Sequence, residues 1–471
     1  MSQTRKPRTI LQQRKNHLPD HLVLNIFANL PVKSVLRFRC LSKTWYSSLA
    51  TPNFISTHLH HHRLHDDAYL IHMPPDVSYP SYDLRDFGDD DDDDDDVYVP
   101  TTVSSRLSKS NTPICCMVAR DSATFNEISE YPVPSAFHLS SFQIVGSCNG
   151  LVCVAQYGCS STIAHAIYLW NPSIRKFKRL PDFSLTRFIW ISTGFAYQSE
   201  TNDYKVVKIS YTRHPTQLDL LLDREVEIEI EKEAEAEVYT LSSNSWRRVG
   251  ISLRKNVKVS CIKDWPATFV CGALHWLGAV SDGEAITYHN MILSFDVNND
   301  KFGEIVLPCG RQLLPQGLVV PEPNCLMEVK GKLAFITFGC HLIDDNINDN
   351  YNEYLMMSDR ESCFIWVMGE YGVHKSWSKL FFVRFEEVFD LQFFGCNSSG
   401  ELLVRKEVER DTGRSRKDYK MWWRHTDYYV IVSLEPETLH EKDLGIQNVE
   451  LIATNFMESL VLLDEATELS G

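Results

Sequence analysis

Ten short β-hairpin patterns, of two kinds in strict alternation, fill most of the chain between residues 114 and 463. The first kind turns on Gly or Asn-Gly, as in VGSCNGLVCVAQ (145–156). The second has a polar turn followed by a large residue, as in IYLWNPSIRKFKRLP (167–181). Runs of β-branched and aromatic residues between such turns predict strands. Five pairs of hairpins therefore predict five four-stranded units.

Four further strand-like segments lie outside these pairs, namely AYLIHM (68–73), ICCMVA and TFNEIS (114–129), and ESLVLL (458–463). Together they could build one more unit, in which both ends of the region share a sheet. Closing a ring in this way removes the exposed edges of a linear array. We therefore predict a mainly β fold with a small N-terminal α module: three short helices followed by a degenerate β-propeller of about six blades. A two-sheet sandwich is the alternative.

The segment 17–59 predicts the three helices. Leu18-Pro19-Asp20 is a helix start signal, and Thr51-Pro52 is a stop. Leu22, Ile26 and Leu30 are four residues apart, so they share one helix face. These large apolar side chains have more surface than a small helical unit can bury, and we expect another protein surface to cover part of them. The cover is either the rest of the chain or a partner.

The stretch LPDHLVLNIFANLPVKSVLRFRCLSKTWYSSL resembles the plant F-box pattern. The shared motifs are the opening Leu-Pro, the central Leu-Pro-Val-Lys-Ser and the later Cys-Leu-Ser-Lys-Thr-Trp; Leu41 departs from the valine that is common there. The resemblance implies docking to a Skp-type adaptor and, through it, to a cullin in an SCF ubiquitin ligase. The residues that it implies for this adaptor interface are Leu18, Pro19, Leu22, Ile26, Leu30, Pro31, Val32, Leu36 and Trp45.

The β region resembles the plant F-box-associated domain through SCNGLVCV, LWNPSIRKFKRLP, GFAYQSETNDYKVVKI, FVCGALHWLG, ILSFDVNNDKFGEIVLP and ESLVLL, in that order. It contains no Gly-Gly and no strand-ending Trp-Asp, which argues against ordinary kelch and WD40 blades. The resemblance implies a substrate-recognition module. The expected function is thus the substrate-recognition subunit of an SCF-type E3 ubiquitin ligase that binds an unknown protein client. A non-degradative client-binding scaffold and an enzymatic β-propeller are the alternatives.

The net charge of −15 comes mostly from two acidic segments. Asp89–Asp96 contributes −8 and Glu225–Glu237 contributes −6, which leaves −1 for the remainder. No basic groove for nucleic acid is therefore expected. Alternating glutamates in the second segment predict an edge or loop strand with an acidic face turned to solvent. A surface that steers a basic client is the alternative.

We expect no cofactor, no metal and no catalytic residue. The 13 cysteines contain no C-x-x-C pair. His58, His60, His61, His62 and His65 come without other ligands at a set spacing, so we expect them at a solvated helix end and not at a metal site. The chain has no G-x-S-x-G, Walker A, G-x-G-x-x-G or H-E-x-x-H motif, and no apolar run of the length that a membrane span needs. His275 and Trp276 fall within a predicted strand, as core or channel-lining residues and not as catalytic ones. Reduced thiols and the absence of a signal sequence favour the cytoplasm, the nucleus or both.

The composition shifts give the expected boundaries. Residues 1–16 form a basic disordered N-terminus, 17–60 the F-box, 61–112 a linker with a poly-Asp loop, 113–464 the F-box-associated β-propeller-like domain and 465–471 a tail.

Overall fold

The computed structural model divides the chain into two compact units, residues 1–66 and 67–471. Each unit is taken by itself below. The structure describes residues 18–63, 69–73, 114–119, 127–137, 142–156, 166–183, 190–211, 234–253, 257–262, 267–282, 288–308, 313–314, 324–338, 362–384, 391–396, 400–408, 428–435, 437–438, 440–447 and 451–463. The predicted N-terminus, poly-Asp loop and tail lie outside these residues.

The first unit contains four helices within its described residues. They are α1 (Asp20–Ala28), α2 (Val32–Arg39), α3 (Lys43–Ser48) and α4 (Pro52–Arg63). The first three match the predicted helices, and α3 ends before the predicted stop. The chain then starts α4 at Pro52, because proline is well suited to the first helical position, where its missing N–H is not needed. The Thr51 hydroxyl accepts a hydrogen bond from the Phe54 N–H at 3.4 Å, which caps that start.

In this helical unit α1 packs against α4, and α2 packs against α3. The buried apolar side chains of the unit are those of Phe27, Ala28, Val32, Val35, Leu49, Phe54, Ile55 and Leu59. The Phe27 ring stacks on Phe38 at a centroid distance of 4.8 Å and meets the edge of Trp45 at 5.1 Å. These aromatic contacts join the first three helices.

The second unit is built from antiparallel sheets, whose strands in chain order are as follows. They are β1 (Tyr69–Met73), β2 (Ile114–Ala119), β3 (Glu127–Pro132), β4 (Phe142–Cys148), β5 (Leu151–Gln156), β6 (Ala166–Asn171), β7 (Lys176–Arg179), β8 (Trp190–Gln198), β9 (Asp203–Tyr211), β10 (Glu235–Thr240), β11 (Ser245–Val249), β12 (Val257–Ile262), β13 (Thr268–Val270), β14 (Ala273–Asp282), β15 (Tyr288–Asp296), β16 (Lys301–Ile305), β17 (Leu313–Leu314), β18 (Cys325–Val329), β19 (Lys332–Phe338), β20 (Ser362–Met368), β21 (Trp377–Arg384), β22 (Leu391–Cys396), β23 (Leu402–Val408), β24 (Tyr428–Leu434), β25 (Glu441–Gln447) and β26 (Leu451–Phe456).

Among the described residues these strands form six sheets. Five follow the chain in order: sheet I (β4–β7), sheet II (β8–β11), sheet III (β12–β17), sheet IV (β18–β21) and sheet V (β22–β25). The sixth, the terminal sheet, has the order β26-β1-β2-β3. Every predicted hairpin pair coincides with one of the five consecutive sheets.

The inner strands of neighbouring sheets contact one another around a closed ring. The contacts run from β4 to β8, from β8 to β13 and β14, from these two to β18, from β18 to β22, from β22 to β26 and from β26 back to β4. The hydrophobic core lies between adjacent sheets, for instance around Trp170 between the terminal sheet and sheet I and around Trp276 between sheets II and III. This arrangement confirms the predicted small helical module and mainly β propeller and is not the stacked pair of sheets of a sandwich.

The terminal sheet joins the two ends of the second unit, as predicted. Strand β1 pairs with β2 on one side and with β26 on the other, with Ile71 opposite Met117 and Ala453. The predicted linker 61–112 therefore contributes one strand to the ring. The prediction was wrong about the last strand, which is Leu451–Phe456 rather than 458–463.

The segment 458–463 instead forms a buried turn that is hydrogen-bonded to sheet I. The Asn171 side-chain amide donates hydrogen bonds to Ser459 O at 3.0 Å, Ser459 Oγ at 3.2 Å and Val461 O at 2.9 Å. The Lys176 ammonium donates to the carbonyls of Leu462 and Leu463, each at 3.3 Å. Gly150, at φ +84°, allows the close approach, since a Cβ there would lie 2.0 Å from Ser459 Oγ. We call residues 458–463 the C-terminal turn.

The acidic segment before residue 238 differs from its prediction where it is described. Its last residues begin β10, which lies inside sheet II between β9 and β11 rather than at an edge. Glu237 is buried there and forms an ion pair with Lys208, whose ammonium also lies 4.0 Å above the centre of the Phe183 ring. Burial lowers the pKa of Lys208, and the bond to Glu237 partly opposes this. Glu237 is thus a paired interior group, and residues 225–233 lie outside the described part of the chain.

Candidate adaptor-binding site

One face of α1 exposes large apolar side chains. Leu18, Leu22 and Ile26 are 58%, 42% and 52% exposed, although such residues are usually buried. The helix begins at Asp20, and the N–H groups of Leu22 and Val23 bond to Pro19 O at 2.9 and 3.2 Å. The proline therefore fixes where the helix starts and hence which face carries these side chains.

Three further large side chains on this unit are exposed, namely those of Phe38, Leu41 and Tyr46. Phe38 lies beside α1, because its ring stacks on the buried Phe27. The Arg39 guanidinium lies 3.8 Å above the centre of the Tyr46 ring and donates a hydrogen bond to Tyr46 O at 3.1 Å. Together with Leu18, Leu22 and Ile26 they make up what we call the exposed apolar set.

The nine residues implied for the adaptor interface fall into three groups. Five are exposed: Leu18, Pro19, Leu22, Ile26 and Pro31. Three are half-buried: Leu30, Leu36 and Trp45. Val32 is only 1% exposed, so it can support the surface from within but offers almost no area for direct contact.

Sequence reasoning noted Leu41 only as a departure from the F-box pattern and did not single out Phe38 or Tyr46. The pattern around α2 and α3 is dominated by charged and small residues, which hid these two isolated aromatic positions. A helical projection of α2 would have shown Phe38 six residues after Val32 and three after Val35, the two buried residues of that helix, and so at the border of its core face.

The histidine-rich helix α4 packs against α1. The Nε2 atoms of His58 and His62 lie 3.0 and 3.2 Å from Leu30 O, and their rings are 4.3 Å apart. His58 is fully buried, and its Nδ1 has no hydrogen-bond partner in the described part of the chain. Burial, helped by the neighbouring His62, lowers the pKa of His58 to about 4. His58 is therefore a core group and not part of a solvated helix end.

We expect the helical unit to lose stability as the pH falls from about 6.5 toward 4. The unfolded chain holds the His58 pKa near its ordinary value, whereas the folded unit holds it at about 4, so protons bind the unfolded state more tightly. Stability that is fully present above pH 6.5 is lost through this window, by about 2 kcal/mol at pH 5. Hydrogen exchange of the α1–α4 amides, corrected for intrinsic rates, measures the change.

A matched pair of variants tests the assignment to His58. His58→Gln keeps a donor for Leu30 O but removes the titrating ring, so the pH dependence should flatten. His60→Gln, on the exposed side of α4, should leave it unchanged. An equal slope in His58→Gln and in the unmodified chain would contradict the assignment.

The described residues contain no group of three or more His, Cys, Asp or Glu side chains arranged to hold a metal ion. His275 is buried in β14, with Nδ1 3.1 Å from Thr268 O and Nε2 2.7 Å from the Tyr371 hydroxyl. Burial lowers the pKa of His275 to about 4 and raises that of Tyr371 to about 12. This pair therefore joins sheets III and IV as a neutral hydrogen-bonded contact. None of the helices that the structure describes is long and apolar enough to cross a membrane.

Comparison with known families matches both units. The F-box domain matches residues 16–57, and the F-box associated beta propeller domain matches residues 105–412, which is more than half of the chain. The chain belongs to the F-box associated β-propeller family. The helical unit with its exposed apolar set is thus the F-box, and the ring of sheets contains the associated propeller domain. The plant F-box pattern and the associated domain expected from the sequence are both confirmed.

Proteins of Arabidopsis thaliana are among the relatives. The F-box/kelch-repeat protein At3g23880 is 25% identical over 78% of this chain and 79% of its own length. The F-box protein CPR1 is 26% identical over 78% of this chain and 73% of its own length. Among solved structures, TolB from Acinetobacter baumannii aligns over 86% of this chain and 73% of its own, with a TM-score of 0.37 and 9% identity, which is too low to establish a shared fold.

Proposed function

We propose that this F-box protein is the substrate-recognition subunit of an SCF-type E3 ubiquitin ligase. An F-box followed by a β-propeller has the general architecture of an SCF substrate receptor. The observation that carries the proposal is the exposure of Leu22 and Ile26, four residues apart on one face of α1, and of Leu18 just before that helix. An exposed cluster of this kind marks a protein interface. The partner is a Skp-type adaptor, which links the chain to a cullin.

In this proposal the chain works by positioning. The F-box holds the adaptor and the cullin arm, while the propeller holds a protein client, so that a client lysine reaches a high effective concentration near the charged ubiquitin carrier. The chemistry belongs to other subunits, and this chain is not catalytic. We place the complex in the cytoplasm or the nucleus, which fits the exposed free thiols of Cys40 and Cys271.

Reconstitution with purified components tests the proposal. The full chain should elute from a sizing column as a single complex with a Skp-type adaptor and a cullin when all are mixed at micromolar concentration. Separate elution of the chain and the adaptor would contradict it. A non-degradative scaffold would also bind the adaptor, so client abundance decides between the two: it rises on proteasome inhibition for a ligase receptor and stays constant for a scaffold.

A further inference from the structure

The outer strand of sheet IV, β21, differs from the other outer strands of the ring. The outer strands β7 (KFKR), β11 (SWRRV), β16 (KFGEI), β25 (EKDLGIQ) and β3 (EISEYP) are four to seven residues long, and each has charged residues spread along it. Short length and charge are the usual protection of a sheet edge against pairing with another chain. Strand β21 (WSKLFFVR) has eight residues and an uncharged apolar centre, Leu380–Val383.

This centre is turned partly to solvent. Phe381 and Val383 point toward the core shared by sheets IV and V, whereas Leu380 and Phe382 are 46% and 51% exposed. Within the second unit, the large apolar side chains that are exposed in its described residues all lie between Tyr371 and Phe382. An exposed apolar cluster on an otherwise covered unit marks an interaction surface.

The strand is held in place at its start, so the surface is preformed. The Trp377 indole donates a hydrogen bond to Val306 O at 3.0 Å, and the His374 ring donates to Leu307 O at 3.0 Å. Both acceptors follow the outer strand of the neighbouring sheet III. A preformed edge binds a partner with less loss of conformational entropy.

The surface is also basic. The Lys379 ammonium lies 3.6 Å above the centre of the Phe364 ring and 5.5 Å from that of Trp366. Lys375 is exposed four residues earlier. A second copy on this edge would bring a second set of the same cations to it, whereas an acidic segment would neutralise Lys375 and Lys379. The charges therefore favour an acidic partner over self-association.

We propose that β21 binds an extended segment of the protein client, which adds to sheet IV as a further strand. The segment has apolar residues at alternate positions and acidic residues beside them. Main-chain hydrogen bonds to the edge of β21 with which no described strand pairs supply affinity, and contacts with Leu380, Phe382 and Lys379 supply selectivity. The inference rests on the proposed function of this chain as a client receptor, and it assigns β21 as the place where the client binds.

Selection from a displayed library of random twelve-residue peptides on the full chain tests this. Enriched peptides should alternate apolar residues and carry Asp or Glu beside them. Their binding should weaken at least tenfold with Phe382→Lys and stay unchanged with Ser245→Lys, which adds the same charge at an exposed position of the outer strand β11. Bound peptide should also slow hydrogen exchange of the amides at 377–384.

Three results would overturn the inference: no enrichment, enriched peptides indifferent to Phe382→Lys, or a concentration-dependent dimer that Phe382→Lys abolishes, which would make the occupant a second copy. Equal melting temperatures of the two variants and the unmodified chain show that folding is intact. Adaptor binding is measured on the same preparations, and the peptide selection does not require the adaptor. A chain that binds the adaptor but no peptide therefore contradicts only the client site, whereas a chain that does not bind the adaptor contradicts the ligase assignment.

Discussion

Replacing Leu22 and Ile26 together by lysine is expected to raise the Kd for a Skp-type adaptor at least a hundredfold. Both side chains are about half exposed in the isolated chain and would be buried by the partner. Each buried aliphatic side chain contributes about 1.5–3 kcal/mol, and a lysine at the same place adds the cost of removing a charge from water. A hundredfold change corresponds to about 2.7 kcal/mol, well within that sum. Titration calorimetry with purified adaptor measures it.

The matched control is Ser56→Lys, which places the same charge on an exposed position of α4. Its affinity for the adaptor should equal that of the unmodified chain, and both variants should keep the melting temperature, since neither disturbs a buried side chain. Tight adaptor binding by the double lysine variant would show that the α1 face is not the interface. In contrast, Val32→Lys should unfold the F-box, because Val32 is a core residue.

Replacing Asn171 by alanine is expected to destabilise the propeller by about 3 kcal/mol. The Asn171 amide satisfies buried carbonyls of Ser459 and Val461, and its own oxygen accepts the Ser173 N–H at 3.1 Å. A buried polar group left without a partner costs about 1–3 kcal/mol. The C-terminal turn would also lose its attachment to sheet I, so proteases should cut within 457–463 much faster. Urea unfolding and mass spectrometry of the cleavage products provide the two measurements.

Asn299→Ala supplies the comparison for this experiment. Asn299 lies in the β15–β16 turn, which corresponds in sheet III to the β6–β7 turn that follows Asn171 in sheet I. It is exposed and bonds only locally, its side chain donating to Asp296 at 2.8 Å, so its loss should cost about 0.5–1 kcal/mol. Equal effects of the two substitutions would mean that the C-terminal turn contributes little to holding the ring together.

Local patterns predicted much of this fold. The F-box motifs and the hairpins each depend on residues that are close in sequence: turn residues, capping residues and the spacing of apolar side chains. The joining of both ends of the β region in one sheet was also anticipated, because a ring leaves few other places for unassigned strands, but the last strand was placed at 458–463 instead of β26. Helix α4 was missed, since Pro52 is as good a start for a helix as a stop.

Other features depend on contacts between residues far apart in the chain. The glutamate alternation before residue 238 indicated a strand with an acidic outer face, yet Glu237 is buried against Lys208 from the neighbouring strand. Nothing within the acidic segment specifies that partner. The apolar run at 458–463 was predicted as a strand for the same reason. The side chains that hold it as a turn are those of Asn171 and Lys176, nearly 300 residues earlier.

Short-range patterns in the chain were enough to indicate the family, the order of helices and hairpins, and the helix that carries the apolar side chains of the proposed adaptor site. These follow from short-range spacing, since side-chain direction repeats every 3.6 residues in a helix and every two in a strand. Packing between distant parts of the chain sets which of those side chains remain exposed, pairs Glu237 inside a sheet, and gives β21, unlike β3, β7, β11, β16 and β25, an uncharged and solvent-facing centre. Exposure is set by what packs against a residue, and in a closed ring those neighbours come from distant parts of the chain.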